Sequence, residues 1–246
     1  MSSKPLSPSS SSTSDFENMY SAIGSTYETG FGHDPGLLSF LAKTLPLLSA
    51  HSHILDLGSG TGRPVASTLA ETGHQVFGLD FSETMVALAK SAVPNATFAL
   101  GDMRTFEPLE HWHVEEGFDA VFSILSLFIF SREEIEGLVG KWAQWVKKGG
   151  LLCLCTIAAE DLVPRGGGGA GMSRDAGMKM GCVRGGWGGG FFGNRVSFTL
   201  FGREGWRGLL ASHGFEVLGE EADVFRPPVE AESDEEPHWF LVARRV

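Results

Sequence analysis

Short apolar runs alternate with amphipathic segments along most of the chain. The apolar runs cover residues 53–57, 75–80, 96–102, 118–125 and 151–157. The fourth run, FDAVFSIL, is nearly unbroken, which is typical of a parallel strand covered on both faces. Because segments with helical periodicity separate these runs, the pattern predicts an α/β fold: a doubly wound, mostly parallel sheet with helices on both faces.

Local signals mark where several of the predicted helices begin. Pro64 suits a first helical position, because the N–H that proline lacks would be unpaired there. Ser82 is a capping residue for the segment ETMVALAKSA. Ser131 and Glu134 have the spacing of a capping box in front of an amphipathic segment, which predicts a helix after the fourth strand.

The pattern predicts one domain, residues 15–246, behind a disordered tail. Residues 1–14 are rich in Ser and Pro and contain no apolar core. Helical spacing over residues 15–50 predicts two or three short helices that cap the domain. After the fifth strand we expect a helix and a terminal antiparallel strand pair, at 203–214, 215–225 and 238–246.

A glycine-rich segment interrupts the pattern at residues 158–193. Its stretch 166–193 holds 13 of the 33 glycines in the chain. Glycine has no side chain to bury and costs extra conformational entropy to order. We therefore predict a flexible insertion or lid in this segment, without a packed element.

The amino-acid composition and charge argue against several classes of protein. The chain has 246 residues, 42% of them hydrophobic, and a formal net charge of −11. An acidic chain without a basic run argues against binding to nucleic acid, and no apolar run is long enough to span a membrane. Three cysteines are too few for a disulfide framework, which favours a reducing compartment, so we expect a cytoplasmic protein. A monomer is compatible with the sequence, which does not specify an oligomeric state.

A glycine loop follows the first predicted strand in the segment HILDLGSGTGRPVA. Gly58, Gly60 and Gly62 alternate with other residues shortly after Asp56. The dinucleotide pattern G-x-G-x-x-G fails in both possible registers, because its third glycine is missing. The P-loop pattern also fails, because Arg and Pro stand where Gly and Lys are needed. The loop is therefore suited to a ligand that presses against the backbone, but not to either of these phosphate-binding classes.

Several motifs in order over residues 53–157 resemble the class I S-adenosylmethionine-dependent methyltransferases. They are LDLGSGTG, the acid Asp80 after the second strand, GDM at 101–103, FDAVFSI in the fourth strand and VKKGGLLCL before the fifth. The resemblance implies a Rossmann-like fold, S-adenosylmethionine as the cofactor and S-adenosylhomocysteine as its product. It extends more loosely to small-molecule methyltransferases, including those of fungal secondary metabolism.

The resemblance also implies where the cofactor would bind. Asp80 would accept hydrogen bonds from the ribose hydroxyls, Asp102 would accept one from the adenine amine, and the Met103 N–H would donate to a ring nitrogen. A turn residue without ligand contact is the alternative for Asp102. The expected cofactor residues are Tyr20, Tyr27, Asp56, Gly58, Gly60, Gly62, Asp80, Phe81, Met85, Asp102, Met103 and Ser123.

The candidates for catalysis are few. Tyr20 and Tyr27 would share a face if their stretch is one helix, where they would contact the ligands or simply pack. His238 is the candidate general base, although we favour a strand-edge histidine without chemistry. His111 and His113 lack a third ligand nearby, so no metal is expected.

The expected function is methyl transfer to a small-molecule metabolite. Many relatives carry a histidine shortly after the fourth strand, where this chain has Ile129 in SLFIF. Without a base there, we expect an acceptor that is already nucleophilic: sulfur, nitrogen or an acidic oxygen. The alternatives are a pericyclase-like or cyclase-like reaction on the same fold and cofactor, or a cofactor-binding regulatory protein.

Overall fold

A seven-stranded sheet lies at the centre of the molecule. The computed structural model describes residues 13–161, 173–174, 182–186, 192 and 197–246. The strands in this part of the chain are β1 (His53–Leu57), β2 (Gln75–Asp80), β3 (Thr97–Leu100), β4 (Phe118–Ile124), β5 (Val146–Thr156), β6 (Ser173–Arg174), β7 (Cys182–Gly186), β8 (Ser197–Phe201), β9 (Phe215–Phe225) and β10 (Glu236–Arg245).

The order of strands in the large sheet is β3-β2-β1-β4-β5-β10-β9. The first five strands of the chain pair in parallel, whereas β10 is antiparallel to both β5 and β9. This architecture confirms the predicted Rossmann-like sheet with a terminal antiparallel strand. Because the order reverses between β1 and β4, a crevice opens at the carboxyl ends of these two strands, which is where open α/β sheets bind ligands.

Helices precede the sheet and cover both of its faces. They are α1 (Thr13–Ile23), α2 (Thr26–Phe31), α3 (Pro35–Thr44), α4 (Val65–Glu71), α5 (Glu83–Ala92), α6 (Pro108–Trp112), α7 (Arg132–Trp145) and α8 (Arg203–Ser212). The Ser82 hydroxyl accepts the Met85 N–H at 3.3 Å, which caps α5 as predicted. Ser131 and Glu134 form the predicted capping box of α7. None of these helices combines the length and hydrophobicity needed to cross a bilayer.

Side chains of the central strands alternate between two cores. On β1, Ile54 packs among α3, α4 and α5, whereas Leu55 packs with α7 and α8 on the other face. Both side chains are fully buried, because helices cover both faces of the sheet. Cys153 and Cys155 lie buried on one face of β5, as period two predicts, and burial raises the pKa of both thiols. They are therefore core residues, not reactive thiols.

The glycine-rich segment departs from its prediction. β6 and β7 lie inside it and form a small antiparallel sheet with β8, so short strands occur in the stretch for which we predicted a flexible insertion. The remainder, residues 162–172, 175–181, 187–191 and 193–196, lies outside the described residues.

The N-terminal boundary also differs slightly from the expected one. Helix α1 begins at Thr13, just inside the segment 1–14 that was expected to be disordered, and residues 1–12 lie outside the described part of the chain. Helices α1, α2 and α3 agree with the predicted cap of short helices before the first strand.

Candidate active site

The glycine loop after β1 needs glycine at each of its three alternating positions for a different reason. All three have positive φ, at +71° for Gly58, +51° for Gly60 and +79° for Gly62. A Cβ on Gly58 would lie 2.4 Å from the Cβ of Ser126, so this glycine lets the loop after β4 come close. A Cβ on Gly62 would press on Val93 of the neighbouring helix, at 3.0 Å. A Cβ on Gly60 would meet nothing within 4 Å, so only here does the loop leave open space.

Asp80, at the end of β2, holds the loop in this shape. One carboxylate oxygen accepts the Gly60 N–H at 2.8 Å and the other accepts the Ser82 N–H at 2.9 Å. The side chain is almost fully buried, and burial raises its pKa to about 6 even though these hydrogen bonds act in the opposite direction. Asp80 therefore connects the glycine loop with the start of α5 and still places a carboxylate at the crevice.

Asp56, at the end of β1, is a second buried carboxylate close to Asp80. Its Oδ2 atom has no hydrogen-bond partner, and its side chain is 2% exposed. Burial, with a smaller contribution from the charge of Asp80, raises its pKa to about 7. Among the described residues, no Lys or Arg forms a salt bridge with either carboxylate. The pair is thus suited to a ligand that brings hydrogen-bond donors and positive charge.

An open cavity, with about 500 Å³ of empty space including its mouth to solvent, adjoins these groups. Gly58, Gly60 and Asp80 form one wall, and Phe81 and Met85, also among the expected cofactor residues, lie beside them. A smaller open cavity shares Gly58, Asp80 and Phe81 and continues toward the end of β3. The two spaces together form one elongated site along the carboxyl ends of the strands.

The far end of this site is formed by the segment after β3. Asp102 and Met103, two of the expected cofactor residues, line the smaller cavity. Arg104 donates from Nε to both oxygens of Asp102, at 2.9 and 3.0 Å, and from Nη1 to Glu134 of α7, at 2.5 Å. Burial alone would raise the pKa of Asp102, but the hydrogen bonds from Arg104 outweigh this effect and lower it. Asp102 therefore stays ionised, and Arg104 fixes its orientation.

Helices α1 and α2 (Thr13–Phe31), which we name the lid, close the opposite side of the cavity. Tyr20 lies on α1 and Tyr27 on α2, so the two residues do not share one helix, but their ring centroids are only 6.3 Å apart and both line the cavity. The ring of Phe81 meets Tyr20 edge-on at 5.8 Å. The hydroxyls of Ser21 and Ser82 lie 3.0 Å apart and join the lid to the start of α5.

Neither tyrosine is suited to act as a general base. Burial, with smaller contributions from nearby ionisable groups, raises the pKa of both phenols above the ordinary value of 10.0. Near neutral pH both hydroxyls keep their protons, so they can donate hydrogen bonds but cannot accept a proton readily.

Three predicted site residues, Ser123, Gly62 and Asp56, do not line the cavity. Ser123 is fully buried, and its hydroxyl lies 2.8 Å from that of Ser126, which lines the cavity instead. Ser126 was missed because nothing in the motif order shows that the loop after β4 turns back over Gly58. Gly62 packs against α5 and, like Asp56, supports the site from behind without lining it.

His238 also lies away from the cavity wall. It is fully buried on β10, which pairs with strands on both sides, so it is not a strand-edge histidine. Its ring nitrogens contact Asp34 and Glu236, and its pKa is raised to about 9. A histidine that keeps its proton at neutral pH is not a general base, so the candidate role of His238 in proton abstraction was wrong.

The apolar part of the cavity wall comes from the loop after β4. Ile129 and Phe130 line both spaces, together with Leu125 in the larger one. The position at which many relatives have a histidine thus contributes a hydrocarbon surface. Within the described part of the chain, the ionisable side chains that line the larger cavity are Asp80 and the two tyrosines.

Comparison with known proteins supports the motif assignment. Residues 54–150 match a family model described as a methyltransferase domain. Phosphoethanolamine N-methyltransferase 1 of Triticum aestivum is 32% identical over 102 residues, which are 39% of this chain and 20% of that enzyme. Highly reducing polyketide synthase sthA of Phaeosphaeria nodorum is 26% identical over 210 residues, which are 82% of this chain and 7% of that protein. The chain thus spans a small part of the length of these relatives.

The fold agrees with that of a solved methyltransferase. Magnesium protoporphyrin IX methyltransferase (ChlM) from Synechocystis PCC 6803, with bound S-adenosylhomocysteine, has a TM-score of 0.61 and 17% identity, and the match covers 95% of both chains. At 17% identity the likeness shows a shared fold only. Support for a methyltransferase comes from the ordered motifs and from the family match over residues 54–150. Residues 54–150 thus match a methyltransferase-domain family, and the ordered motifs in the same stretch resemble those of the class I S-adenosylmethionine-dependent methyltransferases.

Proposed function

We propose that the protein transfers a methyl group from S-adenosylmethionine to a nucleophilic nitrogen, sulfur or acidic oxygen of a small-molecule metabolite. The observation that carries the proposal is the pair Asp56 and Asp80, two buried carboxylates beside a glycine loop with one open position. The cofactor has the groups that this pair needs: an ammonium group, a sulfonium centre and two ribose hydroxyls.

The residues of the elongated site fit the parts of this cofactor. Asp80 would accept hydrogen bonds from the ribose hydroxyls, and Asp56, buried behind the glycine loop, would contribute negative charge toward the ammonium group without lining the cavity. Phe81 and Met85 would flank the adenine ring, and the ionised Asp102 would accept from its amine. This arrangement gives the carboxylates of Asp80 and Asp102 hydrogen-bond donors from the ligand, which a purely apolar ligand would not supply.

When bound, the cofactor supplies a methyl group on a positively charged sulfur, which is already activated toward a nucleophile. The protein then has to hold the acceptor in line and exclude water. Tyr20 and Tyr27 close the cavity from the lid, and Ile129 and Phe130 give it an apolar floor. The neutral hydroxyls of the two tyrosines and the hydrocarbon side chains of Ile129 and Phe130 can orient an acceptor. They cannot remove a proton from a weakly acidic alcohol.

The acceptor is therefore expected to be nucleophilic without help from a base. An amine in its neutral form, a thiolate or an acidic hydroxyl meets this condition. The wheat relative is named for methyl transfer to nitrogen of phosphoethanolamine, and the longer match is to a polyketide synthase; both names support a small molecule as the acceptor. The sequence expectation of a cytoplasmic enzyme without nucleic-acid or membrane partners stays a prediction.

Replacing Asp80 by Asn tests the cofactor site. The amide keeps the size of the side chain but loses the charge that strengthens hydrogen bonds from the ribose, so the Kd for S-adenosylhomocysteine should rise at least tenfold, equivalent to about 1.4 kcal/mol. Isothermal titration calorimetry measures this change. Asp161→Asn, which alters an acid paired with Arg203 away from the cavity, is the matched control. Equal affinities of the wild type and Asp80→Asn would remove Asp80 from the cofactor site.

Methyl transfer itself is tested by the formation of S-adenosylhomocysteine from S-adenosylmethionine with amine, thiol and phenol probes, read by mass spectrometry as an added methyl group. A wild-type protein that binds neither form of the cofactor contradicts the proposal. Tight binding with no transfer to any probe class would favour a non-methylating reaction or a regulatory role on the same scaffold.

A further inference from the structure

Three buried ionisable side chains form a cluster that the proposed function does not use. We name Asp34, Glu236 and His238 the acid–histidine cluster; each is at most 4% exposed. His238 Nδ1 lies 2.8 Å from Asp34 Oδ2, and its Nε2 lies 3.1 Å from Glu236 Oε2. Because both partners are carboxylates, both ring nitrogens donate, and the ring is an imidazolium ion.

Asp34 stands at the root of the lid. It lies in the turn between α2 and α3, and its second oxygen, Oδ1, accepts the Gly36 N–H at 2.9 Å and so caps α3. A Cβ on Gly36 would lie 2.9 Å from Asp223 Oδ2, so α3 is packed closely against β9. One carboxylate thus fixes the start of α3 and also holds the end of the lid to His238 on β10.

A row of contacting aromatic rings, stacked or tilted on one another, leads from the same histidine to the cavity wall. Phe225 stacks on His238 with ring centroids 5.5 Å apart, and Phe31 lies 5.3 Å from Phe225. Tyr27 stacks on Phe31 at 5.3 Å, with 19° between the ring planes. A shift of the lid root would therefore be transmitted to Tyr27 through close-packed aromatic contacts.

We propose that His238 is a positioning residue: by holding Asp34, it fixes the root of the lid and keeps Tyr20 and Tyr27 against the cofactor cavity. The effect on cofactor binding rests on the proposed function, whereas the effect on the lid does not. Glu236 has a different task, because it lies on β10 itself and its hydrogen bond to Nε2 of His238 stays within that strand.

Two matched variants separate these tasks. Asp34→Asn and Glu236→Gln each remove one carboxylate and leave the imidazolium paired with the other, but only Asp34→Asn breaks the link to the lid. Asp34→Asn should raise the Kd for S-adenosylhomocysteine about tenfold and speed amide hydrogen exchange in residues 13–31. Glu236→Gln should leave both quantities within about twofold of wild type. Equal behaviour of the two variants in both measurements would overturn the proposal.

A pH titration of the wild type gives a second test that needs no folded Asp34 variant and no cofactor. The hydrogen bonds to Asp34 and Glu236 outweigh burial and raise the pKa of His238 to about 9, while Asp223 faces it across β9 and Cys155 lies nearby on β5. Lid exchange, corrected for intrinsic rates, should speed up with a midpoint near pH 9, and at lower pH in Glu236→Gln. Constant corrected exchange from pH 8 to 10 in both proteins would contradict a lid held by His238.

Discussion

At the scale of single residues, Asp56 and Asp80 place two carboxylates where the folded chain gives them too few partners. Asp80 still receives two backbone hydrogen bonds, but Asp56 keeps an unpartnered oxygen. The raised pKa values of about 7 and about 6 express how strongly this environment resists a negative charge. The site is thus arranged for a ligand at the expense of the stability of the empty protein.

Replacing Asp56 by Asn should therefore stabilise the empty protein and weaken cofactor binding. The pKa of Asp56 lies near 7 in the folded protein but near 3.8 in an unfolded chain, so the folded state loses stability as pH rises between these values and bears the full cost above pH 7. At pH 8 the variant should melt a few degrees higher than wild type, since about 1 kcal/mol corresponds to about 2–4 °C at this size.

Thermal denaturation at pH 8 and at pH 4 checks this sign. The gain should shrink at pH 4, where the wild-type carboxyl is protonated in the folded state, and calorimetry should show weaker binding of S-adenosylhomocysteine at pH 8. A variant that melts at a lower temperature than wild type at pH 8 would contradict the inference that the ionised Asp56 destabilises the empty protein.

At the scale of elements, the glycine loop joins three parts of the molecule. Because Gly58 has no side chain, the loop after β4 can approach it closely, and α5 packs against Gly62 for the same reason. Gly60 leaves open space beside Asp80. The same positive-φ backbone therefore serves packing at two positions and ligand access at the third. Motif spacing alone predicted the loop but not this division, because the division depends on which neighbours approach from distant parts of the chain.

Gly58→Ala should consequently reduce mainly the stability of the protein, whereas Gly60→Ala should reduce mainly its affinity for the cofactor. At Gly58 the new methyl group would collide with Ser126, so the free energy of unfolding should fall by about 2 kcal/mol or more, and Ser126→Gly should recover part of it. At Gly60 the loss should be about 1 kcal/mol from the backbone alone, with a larger loss of cofactor affinity. Urea denaturation and calorimetry measure both quantities, and equal destabilisation by the two variants, without rescue by Ser126→Gly, would show the assignment to be wrong.

At the scale of the whole molecule, the cavity lies between the lid and the sheet, so a ligand contacts both bodies at once. Binding should stabilise the entire described domain, by about 2.7 kcal/mol at a ligand concentration one hundred times the Kd. Because the ligand favours the ionised form of Asp56, this stabilisation is linked to pH.

S-adenosylhomocysteine should therefore raise the melting temperature more at pH 8 than at pH 6. Asp56, with a pKa of about 7, is mostly protonated at pH 6, and the loss of its charge should weaken binding about tenfold. Scanning calorimetry with fixed ligand measures the two shifts. Asp56→Asn should show a smaller difference between the two pH values, and an equal difference would assign the pH dependence to another group.

Prediction from the sequence was most accurate where capping signals and the pattern of apolar residues indicate the same helix or strand. The bounds of β1 and β2 and the caps at Ser82 and Ser131 followed from apolar runs and capping patterns, because helices cover both faces of the sheet. The contact between Tyr20 and Tyr27 in separate helices, and the pairing of His238 with Asp34, depend on tertiary packing that no local pattern encodes. Composition also concealed β6 and β7, which pair with each other and with β8 despite the high glycine content of this segment.

The position of β10 has a consequence for synthesis on the ribosome. β10 is inserted between β5 and β9, and its His238 meets Asp34 across 204 positions of the chain. A nascent chain that has emerged only as far as β5 therefore presents an open parallel edge, whose backbone groups and apolar side chains can pair with other chains. Loop closure over such a distance is slow, so the contact between Asp34 and His238 that holds the root of the lid forms late, after β10 has been synthesised.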